Sequence, residues 1–356
     1  MRGVAAGRGP GACAAPPRAA PSPAPPHPPP GGEATSVAAD AEGADPFAPY
    51  ARALGVLVPE REREEAEDDA EDLLLAERVL DHFRRNRPGP ASAPSLSLRL
   101  LELVASPRAE VGEMVRLISA DAALSAGVLT VANSAAYRGL EEVETVRAAV
   151  VRLGLEEVAR VAGAVSARNL FSPSAKAERA ARGKAFGALF HRALTVATGA
   201  AALTLGRKDA RSDRAYLGGM LFDVGKSIAL RSLSALETQG ATTEAARMER
   251  VLDRVHVEVG GECHQEWNLP RFLTVIAVRH HDREIPADPE FSELHAVRLC
   301  GALADLRAGF RPGRAGGEIA QSARALGLDP PAVRAIEAEL RRAAQRVGIA
   351  FGLSLA

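Results

Sequence analysis

The sequence predicts an all-α protein: a compact multi-helix bundle behind a disordered N-terminal tail. Two observations predict it. Hydrophobic residues fill 47% of the 356 positions but aromatics only 4%, so the core is built mostly from Ala, Leu and Val, and Ala and Leu favour helix. From Pro94 onward, apolar residues recur at i, i+3, i+4 and i+7 in one short segment after another, the period of a helix that buries one face.

Residues 1 to about 46 are low-complexity, as in Ala15-Pro-Pro-Arg18 and Pro21-Ser-Pro-Ala-Pro-Pro-His-Pro-Pro-Pro30. Such a segment buries too little apolar surface to offset its ordering entropy, so a disordered tether with polyproline II character is expected. The mostly acidic run Glu60 to Asp72 reads as a solvated linker or the first turns of a helix. Residues 1–72 are therefore expected as tail and linker. Leu74, Leu75, Val79 and Phe83 predict a short helix within 73–90, and Pro88-Gly-Pro90 stops it. The cations of Arg84-Arg-Asn-Arg87 suit its C-terminus.

Leu96 and Leu100 begin the dense helical region. Val111, Met114, Val115 and Ile118 mark the next helix, which Ser106-Pro107 starts. Asp121 is placed to cap a helix carrying Leu124, Val128, Leu129 and Val131. Val146, Val150, Val151 and Leu153 follow, broken by Gly154, and Val158 to Leu170 make a further helix. Near the C-terminus, Asp329-Pro-Pro331 starts a helix whose narrow stripe is Val333, Ile336, Leu340, Ala343 and Val347. That stripe either packs back on the bundle or forms the seam of a homodimer.

The net charge of -1, from 44 basic and 45 acidic residues, gives no whole-chain reason to expect nucleic acid or an anionic membrane as a partner. Cys13, Cys263 and Cys300 are too few for a disulfide framework, so a reducing cytoplasm is expected. Prolines and glycines interrupt the N-terminus before an apolar signal region forms. No apolar run approaches the roughly 20 residues of a membrane span.

Within Tyr216-Leu-Gly-Gly-Met-Leu-Phe-Asp-Val-Gly-Lys-Ser-Ile-Ala-Leu230, Asp223 is a lone acid in an apolar run. A buried carboxylate needs a partner, a metal or a cavity. Histidines stand on both sides in sequence: His191, His256, His264, His280 and His281. Gly225-Lys-Ser227 resembles the end of a phosphate-binding loop, but Met220 stands where the first glycine is needed. Cys263-His264 lacks the second spaced pair of a zinc finger.

The segment Ile118-Ser-Ala-Asp-Ala-Ala-Leu-Ser-Ala-Gly-Val-Leu-Thr-Val-Ala-Asn-Ser-Ala-Ala-Tyr137 resembles the "SxDPxLxxxLLxLANSAYY" segment of HDOD domains. These are output modules related to the HD and HD-GYP phosphohydrolases. Val151-Arg-Leu-Gly-Leu155 resembles the family's "ILLGL", and Glu266-Trp-Asn-Leu-Pro270 with His280-His281 its "WGLP…HH". The resemblance implies an HD-like domain over 91–306 with a C-terminal helical extension over 307–356.

It also implies a metal-binding pattern, with departures. His191 matches the helix of the first histidine, and Leu221-Phe-Asp-Val-Gly-Lys226 matches "LHDIGK", so Asp223 and Lys226 are kept while Phe222 replaces the dyad histidine. His256 matches the histidine of "DHAEVG", and His280 and His281 the paired histidines. Gly301 stands at the final aspartate, with Asp305 the substitute that a shifted alignment gives. His264 and His295 match no family ligand and are expected at the surface, whereas Trp267 is expected to anchor the core beside Leu269.

Phe222 and Gly301 remove two ligands of one metal position. A second position can draw on Asp223, His256 and His280 or His281, a mixed N/O set that suits Zn, Fe, Mn or Ni. The expectation is therefore no cofactor, or one divalent transition metal in a residual site. Taken singly, His191 can equally be a buried histidine bonded to a carbonyl, and Asp223 can pair with Lys226 or a histidine. The function the resemblance implies is a non-catalytic regulatory or scaffolding module in bacterial signal transduction that binds signalling proteins. The alternatives are a metal-dependent phosphohydrolase of nucleotides or cyclic dinucleotides, and a sensor in which Lys226 and Arg279 contact phosphate.

Overall fold

Each periodic segment of the sequence folds as a helix, and every regular element among the described residues is helical. The computed structural model describes residues 70–89, 94–105, 110–137, 139, 141–237, 243–309 and 312–353; the expected tether, Cys13 and most of the acidic run lie outside them.

Helix α1 (Ala70–Arg85) starts four residues before Leu74, where the apolar stripe begins. The cause is Asp72, which is not solvated: it is buried and accepts hydrogen bonds from Arg247 and Arg250 at 2.6 Å each. At the other end Arg84 pairs with Glu258 and Arg87 with Glu262. Arg84 and Arg87 are thus paired within the chain itself, while Arg85 faces solvent beside Asp81.

Helices α2 (Ser95–Ala105), α3 (Val111–Ser119), α4 (Ala122–Ala132), α5 (Val146–Leu153) and α6 (Leu155–Ala167) form the N-terminal part of the bundle. Asp121 caps α4 as expected, its carboxylate accepting from the Leu124 amide at 3.0 Å. Asn133 pins the loop that follows: its side chain donates to the Val143 carbonyl and accepts from the Val143 amide, both at 2.8 Å. Gly154 joins α5 to α6 at φ 80°, where a side chain would be strained.

The centre is α7 (Lys176–Thr204). Its stretch Glu178–Thr204 is long and apolar enough to cross a bilayer by length and composition, more than the sequence expectation allowed, but over half of its most apolar window is buried inside the bundle. On it pack α8 (Ser212–Leu221), α9 (Val224–Glu237), α12 (Ser292–Arg307) and α14 (Pro330–Phe351). Of the rest, α10 (Ala245–Glu266) packs on α9, α11 (Arg271–Arg279) on α8 and α13 (Pro312–Ala325) on α12. The turn between α10 and α11 holds Asn268 at φ 49°. The motif it resembles has glycine there, and asparagine is among the side chains that tolerate that backbone best. Trp267 and Leu269 are buried beside it. Asp329 caps α14, and the stripe Val333, Leu340, Ala343 and Val347 is buried, with α14 packed on α7. That stripe packs back on the bundle, with Ile336 partly buried beside it.

Candidate functional site

Two glycines place Asp223. A Cβ on Gly219 would stand 2.6 Å from the Cα of Ala197, so α8 lies directly on the α7 backbone. A Cβ on Gly225 would fall on the His256 carbonyl oxygen and stand 2.7 Å from the Gly260 nitrogen, so α9 presses on α10 in the same way. Phe222-Asp223 is the joint between those two crossings. Close backbone approach of this kind needs residues without side chains.

At the joint Asp223, His256, His280 and His281 come together. The ligand atoms of the three histidines lie within 4.8 Å of one another. Asp223 Oδ1 is 3.3 Å from His256 Nε2 and 3.7 Å from His280 Nε2. Each ring is oriented from behind. His256 Nδ1 faces the Asp253 carbonyl at 2.8 Å, His280 Nδ1 the Ala277 carbonyl at 2.9 Å, and His281 Nδ1 the Glu318 carboxylate at 2.7 Å. Oxygens of these kinds accept, so each Nδ1 carries the proton and each Nε2 carries a lone pair.

The consequence is a concentration of acceptors. His256 Nε2 and His280 Nε2 face each other at 3.3 Å with no proton assigned between them. Asp223 Oδ1 and His281 Nε2 are buried without a hydrogen-bond partner. Burial holds the histidines neutral: it pushes His256 down to about 4, helped by Lys226, and His280 well below the ordinary range, helped by His281. Burial also lowers His281, with Arg314 adding to it. Burial alone would raise Asp223, but Lys226 and Arg192 outweigh it and hold the carboxyl well below its usual range. Inward lone pairs backed by oriented Nδ1–H groups are the donor arrangement of a transition-metal site.

The other oxygen of Asp223 belongs to cations. Oδ2 takes Arg192 Nη1, and Lys226 Nζ at 3.2 Å. Arg192, one residue past His191 on α7, also forks onto Asp305 Oδ1 with Nε at 3.0 Å and Nη2 at 2.8 Å. Its guanidinium carbon lies 4.9 Å from the centre of the Phe222 ring, and that ring stands edge-on to His280 at 5.1 Å. A Cβ on Gly301 would meet the same ring at 3.4 Å. The two departures from the family pattern therefore face each other.

Helix α13 closes the cluster. Glu318 orients His281, and Arg314 forks onto Asp253 at 3.0 and 3.1 Å. Asp253 also receives Lys226 Nζ at 3.4 Å. No space wide enough for a water molecule remains among Arg192, Phe222, His280, His281, Asp305 and Glu318. His281, Arg192 and Arg314, with 16%, 18% and 28% of their side chains exposed, are where the cluster reaches the surface.

Several expected placements are corrected. His191 does not join the cluster; its Nε2 donates to the Ala344 carbonyl at 2.8 Å, the carbonyl-bonded alternative. Arg279 turns away, its Nε donating to Asp282 Oδ2 at 2.7 Å and its guanidinium lying over Phe291, so it faces no common pocket with Lys226. Lys226 is itself buried and paired with two carboxylates. His264 and His295 are not surface residues: both are buried, His264 near Trp267 and His295 donating from Nε2 to the Pro286 carbonyl at 3.0 Å. Asp305, not position 301, brings the carboxylate of α12 to Arg192. Arg192, Asp253, Arg314 and Glu318 were not singled out from sequence. Asp253 carried a signal, three residues before His256 on one helix face.

The family model of the HDOD domain matches residues 91–283. An uncharacterized protein of Treponema pallidum (strain Nichols) is 26% identical over 208 residues, which is 55% of this chain but only 39% of that protein. An HDOD domain protein of unknown function from Geobacter sulfurreducens superposes with a TM-score of 0.56 at 21% identity, over 79% of this chain and 98% of its own. A candidate signal transduction protein from Marinobacter aquaeolei VT8 gives 0.55 at 18% identity, over 81% and 67%. A candidate metal-dependent phosphohydrolase from Shewanella amazonensis SB2B gives 0.51 at 19% identity, over 76% and 99%. At these identities the structural likeness is one of fold.

Proposed function

The chain belongs to the HDOD domain family, and from that premise we propose that it is a non-catalytic regulatory module of signal transduction, one that binds protein partners and holds a single structural metal ion. The observation that carries this reading is the closed cleft over His280 and His281: no space wide enough for a water molecule remains among Arg192, Phe222, the two histidines and Glu318, and a phosphodiester reaching the histidines from that side would need it. Hydrolysis requires both a substrate and an attacking water at the metal.

The metal is supported by the acceptors themselves. His256, His280 and His281 would hold it, with Asp223 Oδ1 beside the first two, and Asp223 Oδ1 and His281 Nε2 are otherwise orphaned. A mixed N/O set of this kind suits Zn, Fe, Mn or Ni. Such an ion supplies Lewis-acid chemistry when bound. The chain's own residues fix three rings through Asp253, Ala277 and Glu318 and exclude solvent, which suits a cross-link between α9, α10 and α11. Cys263 and Cys300 are free thiols in the core, in keeping with a cytoplasmic placement, which is part of the proposal.

A second reading, a metal-dependent phosphodiesterase, is favoured by the same inward donor set. One experiment separates the two. Purified protein is analysed for bound transition metal and assayed against bis-p-nitrophenyl phosphate and cyclic dinucleotides. The expected result is about one equivalent of metal, reduced by Asp223→Ala or His256→Ala, and no turnover. Turnover that Asp223→Ala abolishes would overturn the non-catalytic reading. A metal-free protein after loading with Zn2+ or Mn2+ would overturn the metal.

A further inference from the structure

We propose that Arg192 is a built-in cation that confines this site to one metal ion. The proposal rests on the metal reading above and concerns which side of Asp223 a metal can use. Asp223 has two faces. Oδ1 looks toward the histidines and has no hydrogen-bond partner, whereas Oδ2 is held by Arg192 Nη1 and by Lys226 Nζ at 3.2 Å. A second ion placed on Oδ2 would have to share that oxygen with fixed positive charge, and Arg192 is the part of that charge that also holds Asp305, the other carboxylate such an ion could use.

The guanidinium does more than pair with Asp223. Its Nε and Nη2 both reach Asp305 Oδ1, at 3.0 and 2.8 Å, so one arginine from α7 ties the joint before α9 to α12. Two carboxylates on separate segments sharing one cation is the arrangement that a second metal would otherwise provide. Arginine fits this place because its planar fork can serve two acids at once and does not deprotonate. Both acids raise its affinity for the proton further.

The surroundings are matched to a guanidinium and not to a metal. The Phe222 ring lies 4.9 Å from its central carbon, within the range of a cation–π contact, and Phe222 has no lone pair to offer an ion. Gly301 adds no side chain, and a Cβ there would stand 3.7 Å from Nη2. A dication brought to Asp223 Oδ2 would have to displace Arg192 against the repulsion of its charge. Arg192 supplies the neutralising charge whatever metal the cell provides, so the link between Asp223 and Asp305 does not depend on metal supply.

The test counts metal ions in three proteins after loading with excess Zn2+ and desalting, with circular dichroism to establish folding. Wild type is expected to hold one equivalent. Phe222→His restores a donor beside Asp223 but leaves Arg192 in place, and is expected to stay at one. Phe222→His with Arg192→Ala is expected to rise to two. A second equivalent in Phe222→His alone would overturn the proposal, as would a folded double variant that stays at one. Should the alanine variant fail to fold, Arg192→Gln in the same background is read the same way, since it keeps hydrogen-bonding groups without the charge. A wild type with no metal would sink the metal reading alone; the role of Arg192 would still be decided by whether its removal from Phe222→His adds one equivalent.

Discussion

Asp223 is held by opposite demands on its two oxygens, with cations on one and neutral histidines on the other. Removing Arg192 leaves Asp223 with Lys226 alone and strips Asp305 of its fork. Breaking a buried pair from one side usually costs about 3–5 kcal/mol; the partial exposure of Arg192, 18% of its side chain, places Arg192→Ala at about 3 kcal/mol in urea unfolding. Asp305→Asn in the same chain should recover part of the loss, because it removes one of the stranded charges. A second residue sets behaviour in acid. His264 is buried, and desolvation lowers its pKa to about 4. The unfolded chain takes up its proton near pH 6.5, roughly the ordinary histidine value, while the folded one resists. The stability tied to a neutral His264 is therefore complete above about pH 6.5 and is lost as pH falls toward about 4, roughly 2 kcal/mol between pH 7 and pH 5. Urea midpoints at those two pH values should differ less for His264→Leu than for wild type. Equal differences would mean that the ring is charged in the fold. At this scale the sequence disclosed Asp223, His256, His280 and His281, because acids and histidines in an apolar context are conspicuous. It did not disclose Arg192, whose neighbour His191 drew the reading. One residue along a helix turns the side chain about 100°, and that turn sends Arg192 into the cluster and His191 to Ala344.

Helix geometry delivers those residues. The crossings at Gly219 and Gly225 bring α8 onto α7 and α9 onto α10, and Asp223 rides between them. Gly225→Ala would push a methyl group into the α10 backbone at His256 and Gly260. Overpacking commonly costs about 1–3 kcal/mol, and a backbone neighbour cannot rotate aside, so a loss of about 3 kcal/mol is expected. Metal retention should fall with it, since the same shift moves His256 away from Asp223. Asp121→Ala, by contrast, removes only a cap from α4 and should cost about 1 kcal/mol with metal content unchanged. The difference between the two variants, read by urea unfolding and metal analysis together, checks that the glycine contact builds the site. Caps and apolar periodicity were legible because they are local rules: Asp121 and Asp329 each accept the amide three residues on. The role of α13 was not. Its Arg314 and Glu318 act at Asp253 and His281, far away in sequence and with nothing local to advertise it.

Across the whole molecule, a metal at this cluster would tie three helices together and should report itself as stability. Saturation a thousandfold above Kd adds about 4 kcal/mol. Zn2+ or Mn2+ should therefore raise Tm by several degrees and a chelator should reverse it, with the effect absent in Asp223→Ala. An unchanged Tm in wild type would count against a bound ion. The sequence by itself determined the all-α class, the helices up to Leu170 and the last one, the family and the acid and histidines of the cluster. Those follow from period, caps and residue chemistry, which are local along the chain. Only the tertiary structure decided which side chains meet: that Arg192 bridges Asp223 and Asp305, that Asp305 takes the place expected of position 301, that His264 and His295 are buried, and that α13 and α14 pack back on the bundle. Those depend on helix rotation and on crossings fixed by packing between residues dozens of positions apart, which no local period encodes.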